Sequence, residues 1–235
     1  MPAPEQVTLQ RLVDAADGEL WAFLDSEVRS ARLTPVEARD LLHEVLPGWG
    51  GQYEDAAAAV AADLYEQKRF ALGLDIAEPY RVTLPEPATP ARWGILASWA
   101  IPAVDEEFSW DAAFQKIVGG AHRTIADAHR NTTMRNSIMD PAARGWQRVG
   151  RGDETCNFCH MLITRGDVYR RMTVDFRSHD NCRCSAESKF FSIKSKDMRE
   201  YERSLRHATG RHDEQKVYDR ARARELLQME AEGSL

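Results

Sequence analysis

The sequence predicts a mainly α-helical protein that contains one small α+β subdomain near its C-terminal end. Through most of the chain, apolar residues recur at three- and four-residue steps, which is the pattern of amphipathic helices. From Trp146 this pattern gives way to short β-branched runs separated by glycines, which favours strands and turns. All four cysteines lie inside this altered stretch, between Cys156 and Cys184. A helical pattern then returns after Ser195.

A stripe of apolar residues predicts the first helix, and an N-cap residue predicts the start of the second. Apolar residues from Leu9 to Val28 form the stripe of one amphipathic helix. Thr34 is a good start for the next helix, because its hydroxyl can accept a backbone hydrogen bond and Pro35 suits the first helical position. Glu37 completes a capping box by bonding back to the cap residue.

A proline- and glycine-rich segment, residues 47–51, predicts the end of this second helix in a turn. A third helix with an alanine-rich middle is predicted over residues 53–72, with Gly73 as its stop. Four prolines within residues 79–90 exclude a regular helix and indicate a linker.

Helical patterns resume over residues 91–100 and 109–130, and residues 131–144 are interpreted as a connection. Short strands are predicted over residues 146–149 and 168–174. We therefore divide the chain into five parts. They are an N-terminal helical region (1–78), a linker (79–90), a second helical region (91–144), a Cys/His subdomain (145–190) and a C-terminal helical tail (191–235).

The composition narrows the classes of protein to consider. The 235 residues are 43% hydrophobic, which is enough for one or two modest domains with a buried core. The formal net charge is −6 and neither half of the chain is strongly basic, so bulk charge does not predict nucleic-acid binding. No stretch approaches the roughly 20 apolar residues of a membrane span, and the N-terminus lacks the segments of a secretory signal. We expect no membrane contact.

The cysteine cluster has the spacing of a metal site. Its pattern is C-x2-C, a loop of 19 residues, then H-x2-C-x-C. A C-x2-C turn brings two thiolates to one ion, and a second pair of ligands about 20 residues later closes a tetrahedral site. We predict a structural zinc ion that staples the small subdomain, because four protein ligands leave no open position for water.

The cluster offers five ligands for four positions, or six if His160 is counted. The favoured set is Cys156, Cys159, His179 and Cys182, with Cys184 able to replace either of the last two. An all-cysteine site with His179 outside the coordination sphere is the alternative. Reduced structural thiols, a disulfide formed by oxidation, and a nucleophilic cysteine paired with His179 are competing interpretations.

Other polar residues invite weaker hypotheses. His122 and His129 lie seven residues apart on one predicted helix, with Asp127 between them, and are interpreted as polar positions between helices. A Ser–His–Asp triad can be written with Ser98 or Ser109, His122 and Asp127, but no nucleophile-elbow motif supports it. Tryptophans are numerous, and four of them are interpreted as anchors of helix packing or of a subunit interface. These four are Trp49, Trp93, Trp99 and Trp110.

The cysteine-rich segment resembles the C-terminal signature of the MuF-like minor head proteins of tailed bacteriophages, particularly the branch from actinobacterial phages. That signature is a C-x-x-C-x-x-L-x-x-R-G-x-x-Y segment followed by H-x-x-C-x-C. Here Arg165, Gly166 and Tyr169 fill the R-G-x-x-Y positions. Gly166 also has a physical role of its own, because a residue free to take a positive φ lets the chain turn between the C-x2-C segment and the next strand. The specific part of the resemblance covers residues 145–186.

The resemblance implies a minor capsid protein that takes part in head morphogenesis near the portal. Its partners would be the portal, major capsid and scaffold proteins, with contact to packaged DNA. It would be found in the virion, and in the host cytoplasm during assembly. Members of this branch are also often labelled capsid maturation proteases, so a maturation protease is one alternative. A nucleic-acid-binding zinc module is another, because several arginines accompany the cysteines.

Overall fold

The computed structural model describes residues 4–74, 80–86, 90–102, 108–150, 155–166, 169, 176 and 178–191. The elements are α1 (Pro4–Phe23), which runs into a π-helical segment (Leu24–Ser30), α2 (Pro35–Ala71), α3 (Pro90–Ala100), α4 (Trp110–Met139), β1 (Ala143–Val149), α5 (Asn157–Ile163) and β2 (Ser185–Phe190). The prediction of a mainly helical fold with a small α+β part is confirmed. The predicted tail beyond residue 191 and, apart from Tyr169, the predicted strand over 168–174 lie outside the described residues.

Helices α1 to α4 pack around one hydrophobic core. Helix α4 contacts each of the other three, and α2 packs along both α3 and α4. The largest buried side chains come from every helix. They include Leu20, Leu42, Leu46, Trp93 and Phe114. The helices on both sides of the proline-rich segment therefore share a single core.

The beginning and the end of α2 confirm two sequence predictions. The Glu37 backbone N–H donates to the Thr34 hydroxyl at 3.3 Å, and the Thr34 backbone N–H donates to the Glu37 carboxylate at 2.8 Å. This is the predicted capping box, and it satisfies donors that the first helical turn leaves free. At the other end, Gly73 follows the cap residue Leu72 with a φ of +67°.

The predicted break at residues 47–51 is wrong, because α2 continues through it as one helix of 37 residues. Tertiary packing overrides the local signal. Gly50 is buried against Trp93 of α3, and a Cβ at this position would overlap the indole ring. The Trp93 indole N–H donates to Glu54 at 2.7 Å, one turn further along α2. The glycine thus serves close helix packing and not a turn.

The predicted connection over residues 131–144 is also wrong, since α4 extends to Met139 and β1 begins at Ala143. Several polar side chains of this stretch form hydrogen bonds inside the structure. Thr132 and Ser137 donate to carbonyls four residues earlier, at 2.9 and 2.7 Å. The Asn136 amide accepts from the Thr83 N–H at 2.9 Å and donates to its carbonyl at 2.8 Å, which ties the extended segment 80–86 to α4.

The two strands form an antiparallel sheet, with Trp146 opposite Ser188 and a register shift between Ala143 and Gly145. Helix α4 packs on this sheet. Glu187 of β2 accepts from Lys68 of α2 at 2.8 Å, so the sheet is also held to the long helix. The predicted strand over 146–149 lies within β1.

A Gly50→Ala substitution tests the packing at the α2–α3 crossing. We expect it to lower the free energy of unfolding by about 1–3 kcal/mol, because the new methyl group must displace Trp93. Gly48→Ala and Gly51→Ala are matched controls in the same helix, since a Cβ at either position meets no atom within 4 Å. Each control should stabilise the protein by about 0.5–1 kcal/mol, the helix preference of alanine over glycine. Urea unfolding of the three variants measures this, and equal effects would contradict the packing argument.

Candidate metal centre

The first half of the centre is the C-x2-C turn at the start of α5. Cys156 is the N-cap residue, and its sulfur accepts the Cys159 backbone N–H at 3.4 Å. The helix ends after Ile163, and Gly166 follows with a φ of +66°, a conformation that L side chains rarely adopt. The expectation that Gly166 turns the chain with a positive φ is confirmed.

The second half is the loop that leads into β2. The Cys182 N–H donates to the His179 carbonyl at 3.1 Å and closes a turn, in which Asn181 has a φ of +59°. This turn brings His179 and the C-x-C pair to the same place as α5. Cys184 lies directly before the first residue of β2, so the sheet fixes one end of the loop.

All five predicted ligands meet in two overlapping groups. The donor atoms of Cys156, Cys159 and His179 lie within 4.8 Å of one another, and so do those of Cys159, Cys182 and Cys184. Cys159 is shared by both groups. The Cys156 sulfur is 3.1 Å from His179 Nε2, and the Cys159 and Cys182 sulfurs are 3.6 Å apart. His160 is exposed on α5 and belongs to neither group.

The His179 ring is oriented as a ligand would be. Its Nδ1 lies 2.7 Å from the Asp180 carbonyl, while Nε2 faces the Cys156 sulfur. With Nδ1 donating to the carbonyl, Nε2 carries the lone pair of the neutral ring. Histidines that bind metal ions are usually oriented by such a bond at the other nitrogen.

The thiols differ in acidity. The pKa of Cys182 is lowered to about 4, chiefly by a hydrogen bond from Cys184 and further by the charge of Arg130. Burial raises the pKa of Cys159 to about 11, and the hydrogen bond to Cys182 together with burial raises that of Cys184. The pKa of Cys156 is lowered as well, chiefly by the Cys159 backbone N–H and further by His179. A lowered pKa favours the thiolate form that binds a cation, and Cys159 and Cys184 must release their protons to do so.

Two buried arginines lie beside the sulfurs. Arg130 of α4 donates from Nε to the Cys184 carbonyl at 2.9 Å and from a terminal nitrogen to the Cys182 carbonyl at 2.5 Å. Its other terminal nitrogen pairs with Asp127 at 2.8 Å. Arg148 of β1 donates to the Cys159 sulfur at 3.4 Å. Both guanidinium groups lie over the Phe176 ring, at 4.7 and 3.6 Å from its centre. Their positive charge favours thiolates at this position.

Three aromatic rings stack on one another inside the subdomain. Trp146 stacks on Tyr169 with ring centres 4.4 Å apart, and on Phe176 at 5.7 Å. The Trp146 backbone N–H donates to the Tyr169 carbonyl at 2.9 Å, an isolated antiparallel bridge. The Tyr169 hydroxyl donates to the Leu162 carbonyl of α5 at 3.3 Å. Tyr169 thus joins the sheet to the helix that carries the first cysteine pair.

The structure does not assemble the hypothetical protease triad. His122 is paired with Asp17 of α1 at 3.1 Å, whereas Asp127 pairs with Arg130 and accepts from Ser178. Ser109 caps α4 by accepting the Ala112 N–H.

Two further polar candidates also have partners elsewhere. The Ser98 hydroxyl lies 2.9 Å from His43 Nε2, in another part of the bundle. His129 is fully buried, with its Nδ1 3.4 Å from the Ser185 hydroxyl. Ser98 therefore does not join the hypothetical triad, and His129 lies between α4 and the sheet.

Sequence reasoning missed Arg130 and Arg148, two described residues outside the cysteine motif that contact the cluster. Arg130 lies 26 positions before the first cysteine in a helix whose spacing marks it only as polar. A charged residue among the buried positions of an amphipathic helix was the one available signal, because such a residue needs a partner.

The fold and the cluster define a mainly helical protein with a small metal-capable Cys/His subdomain. A family model described as VG15 protein matches residues 3–209, so the chain belongs to the VG15 protein family. The Gene 15 protein of Mycobacterium phage L5 is 32% identical over 134 residues, which are 54% of this chain and 43% of that relative. The match thus spans less than half of the relative's length. These findings indicate a phage protein family.

No solved structure matches the chain. Among the described helices, none has the length and apolar character of a membrane span.

Replacing Arg130 tests whether its buried hydrogen bonds and ion pair beside the cysteine cluster stabilise the fold. We expect Arg130→Met to lower the free energy of unfolding by about 3–5 kcal/mol, because it leaves two buried carbonyls without this donor and removes one of the ion pairs of Asp127. Arg123→Met is the matched control on the same helix face, since Arg123 is 42% exposed and forms a surface pair with Asp180. Its cost should stay under about 1 kcal/mol. Chemical denaturation compares them, and similar losses would refute the special role of Arg130.

His129 should make stability depend on pH. Burial and the neighbouring Arg130 lower the pKa of His129 from 6.5 to about 3, so the folded chain keeps it neutral. The unfolded chain takes up a proton below pH 6.5, and stability therefore falls as the pH falls from 6.5 towards 3. The contribution of this residue is about 1.4 kcal/mol per pH unit.

The variant His129→Gln should lose this contribution. The difference in free energy of unfolding between wild type and variant should then shift by about 1.4 kcal/mol between pH 6 and pH 5. His160→Gln, at an exposed position, should show no comparable shift.

Proposed function

We propose that this chain is a minor head protein of a tailed phage, with a structural role in head assembly near the portal, and that its Cys/His cluster holds one structural zinc ion. The observation that carries the proposal is the meeting of four cysteines and His179 at the junction of the helical bundle and the sheet. The family membership and the resemblance of residues 145–186 to MuF-like proteins support the phage part.

The donor set favours zinc over other common ions. Sulfur and imidazole ligands suit zinc, whereas magnesium and calcium prefer oxygen. Cys156, Cys159, His179 and Cys182 would hold the ion, with Cys184 as the substitute ligand. The buried charges of Arg130 and Arg148 offset the negative charge that three or four thiolates bring to the site.

A metal ion would supply stability that the subdomain lacks. Among the described residues of the subdomain, a two-stranded sheet and a helix of seven residues form only a small core, and a two-stranded unit alone is marginally stable in water. Binding between α5 and the loop before β2 would hold the two halves of the subdomain together. Four protein ligands would also close the site to substrate, which is consistent with a structural role.

The partners proposed for this role are the portal, major capsid and scaffold proteins, with the chain located in the virion and, during assembly, in the host cytoplasm. A capsid maturation protease and a nucleic-acid-binding zinc module are alternatives that no described contact specifically favours. In particular, the pair formed by His43 and Ser98 has no third group in the described residues to orient the histidine.

Elemental analysis of the purified protein tests the zinc proposal. We expect one zinc per chain, and its loss in the double variant Cys156→Ser, Cys159→Ser, with loss of structure confined to the subdomain. Cys184→Ser is the control for the ligand set and should keep the metal if the favoured four residues bind it. A wild-type protein without metal, whose stability is unchanged by a chelator, would refute the proposal.

A phage that carries this gene tests the assembly role. We expect a nonsense mutation to give aberrant or empty heads by electron microscopy, and the protein to be found by mass spectrometry in procapsids of the parent phage. A plasmid copy of the wild-type gene should restore normal heads. Normal heads in the mutant, or absence of the protein from particles, would overturn the role.

A further inference from the structure

The metal centre has more donor atoms than one zinc ion uses. A structural zinc ion takes four ligands, whereas the donor atoms of five residues meet here. They form two groups of three, with Cys156 and His179 in one, Cys182 and Cys184 in the other, and the Cys159 sulfur in both. Two sulfurs bound to one ion at about 2.3 Å each lie at most about 4.6 Å apart. The span of 4.8 Å within each group therefore fits one ion with little movement.

Cys159 has the position of a bridging ligand between these two groups. A thiolate sulfur has more than one lone pair, so it can bind two cations at the same time. The Cys159 side chain is 1% exposed, and its sulfur lies 3.6 Å from the Cys182 sulfur. Arg148 donates to the same sulfur at 3.4 Å, which favours its thiolate form. The two groups are thus joined through one enclosed sulfur atom.

The number of donors in each group selects a class of cation. Three protein ligands leave zinc with an open position, and magnesium and calcium prefer oxygen ligands. Copper(I) and silver(I) are soft cations that prefer sulfur, and they commonly bind with three ligands or fewer. Each group of three is therefore a complete coordination shell for a soft monovalent cation.

The buried charges favour two monovalent ions over two divalent ions. When all four cysteines are thiolates, two monovalent ions and the guanidinium groups of Arg130 and Arg148 balance their charge. Two divalent ions would leave two positive charges in excess at a buried site, which is costly. Asp127 pairs with Arg130, but it also pairs with Arg92, so the Asp127–Arg92 pair leaves this balance unchanged.

We propose that the centre binds two copper(I) ions in place of one zinc ion, with the Cys159 sulfur bridging them. Cys156 and His179 complete the shell of one ion, and Cys182 and Cys184 complete the shell of the other. The inference rests on the proposed function, because it uses the same metal centre. It adds a second class of cation, a second ion and a role for Cys184 that one zinc ion does not require.

Anaerobic titration of the full-length apoprotein with copper(I), in competition with a chromophoric copper(I) chelator, tests this inference. We expect two ions per chain, and X-ray absorption should show a copper neighbour around each copper. Cys184→Ser and Cys156→Ser each remove a donor from one group only. Each should keep one ion at wild-type strength and bind the other at least tenfold more weakly. Cys159→Ser should weaken both ions at least tenfold.

His160→Gln is the matched control, because His160 is exposed on the same helix and belongs to neither group. It should bind two ions like the wild type. A limit of one ion, two ions without a copper neighbour, or a Cys159→Ser variant that loses only one ion would each overturn the inference. Circular dichroism shows which variants fold, and the two single-group variants test the ligand assignment even if Cys159→Ser does not.

A parallel titration with zinc separates this inference from the proposed function. Uptake of one zinc ion but only one copper(I) ion would overturn the two-ion centre and leave the zinc proposal standing. Binding of neither metal would overturn both. Two copper(I) ions without any uptake of zinc would support the two-ion centre and refute the zinc proposal.

Discussion

The guanidinium group of Arg130 joins the two parts of the molecule. It is fully buried, yet it is satisfied by two carbonyls of the C-x-C segment, by Asp127 and by the face of Phe176. A buried charge is tolerated only with such partners, and removing them leaves a penalty of several kcal/mol. The position of the cysteine loop is therefore fixed to α4. The helical bundle in turn fixes α4, so the geometry of the cluster depends on the packing of the bundle.

Helix α4 can play this part because it is long and has two different halves. Its first half is apolar and lies in the hydrophobic core through Phe114 and Ile117. Its second half is polar but still buried, and its side chains bond to the extended segment at Thr83 and to the sheet through His129 and Ser185. Such polar packing is specific, because a hydrogen bond fixes direction as well as distance. The apolar half of α4 therefore stabilises the bundle, and the polar half fixes the positions of the extended segment and the sheet.

Local signals in the sequence were sufficient where structure is decided locally. The capping box at Thr34 and the positive φ at Gly166 depend on neighbouring residues, and both were predicted. The break at residues 47–51 was predicted wrongly, since Trp93, more than 40 residues away, explains Gly50. Arg130 was missed because the carbonyls that it contacts are also far away in the sequence. The cysteine spacing indicated the donors of a metal site, but a motif contains no information about the charges that other helices place behind it.

The distribution of acidity within the cluster bears on the competing interpretation as a nucleophilic cysteine. The most acidic thiol, Cys182, is 2% exposed and has its charge offset by Arg130. A reactive cysteine needs an accessible thiolate, and this one is enclosed. The accessible thiol is Cys156, which is close to His179, but its partner ring is held by the Asp180 carbonyl in the orientation of a ligand. The pKa of Cys156 is lowered too, chiefly by the Cys159 backbone N–H and further by His179, so acidity alone does not separate a ligand from a nucleophile. The two overlapping donor groups that share Cys159, together with the orientation of the His179 ring, are the arrangement expected where thiolates neutralise a cation.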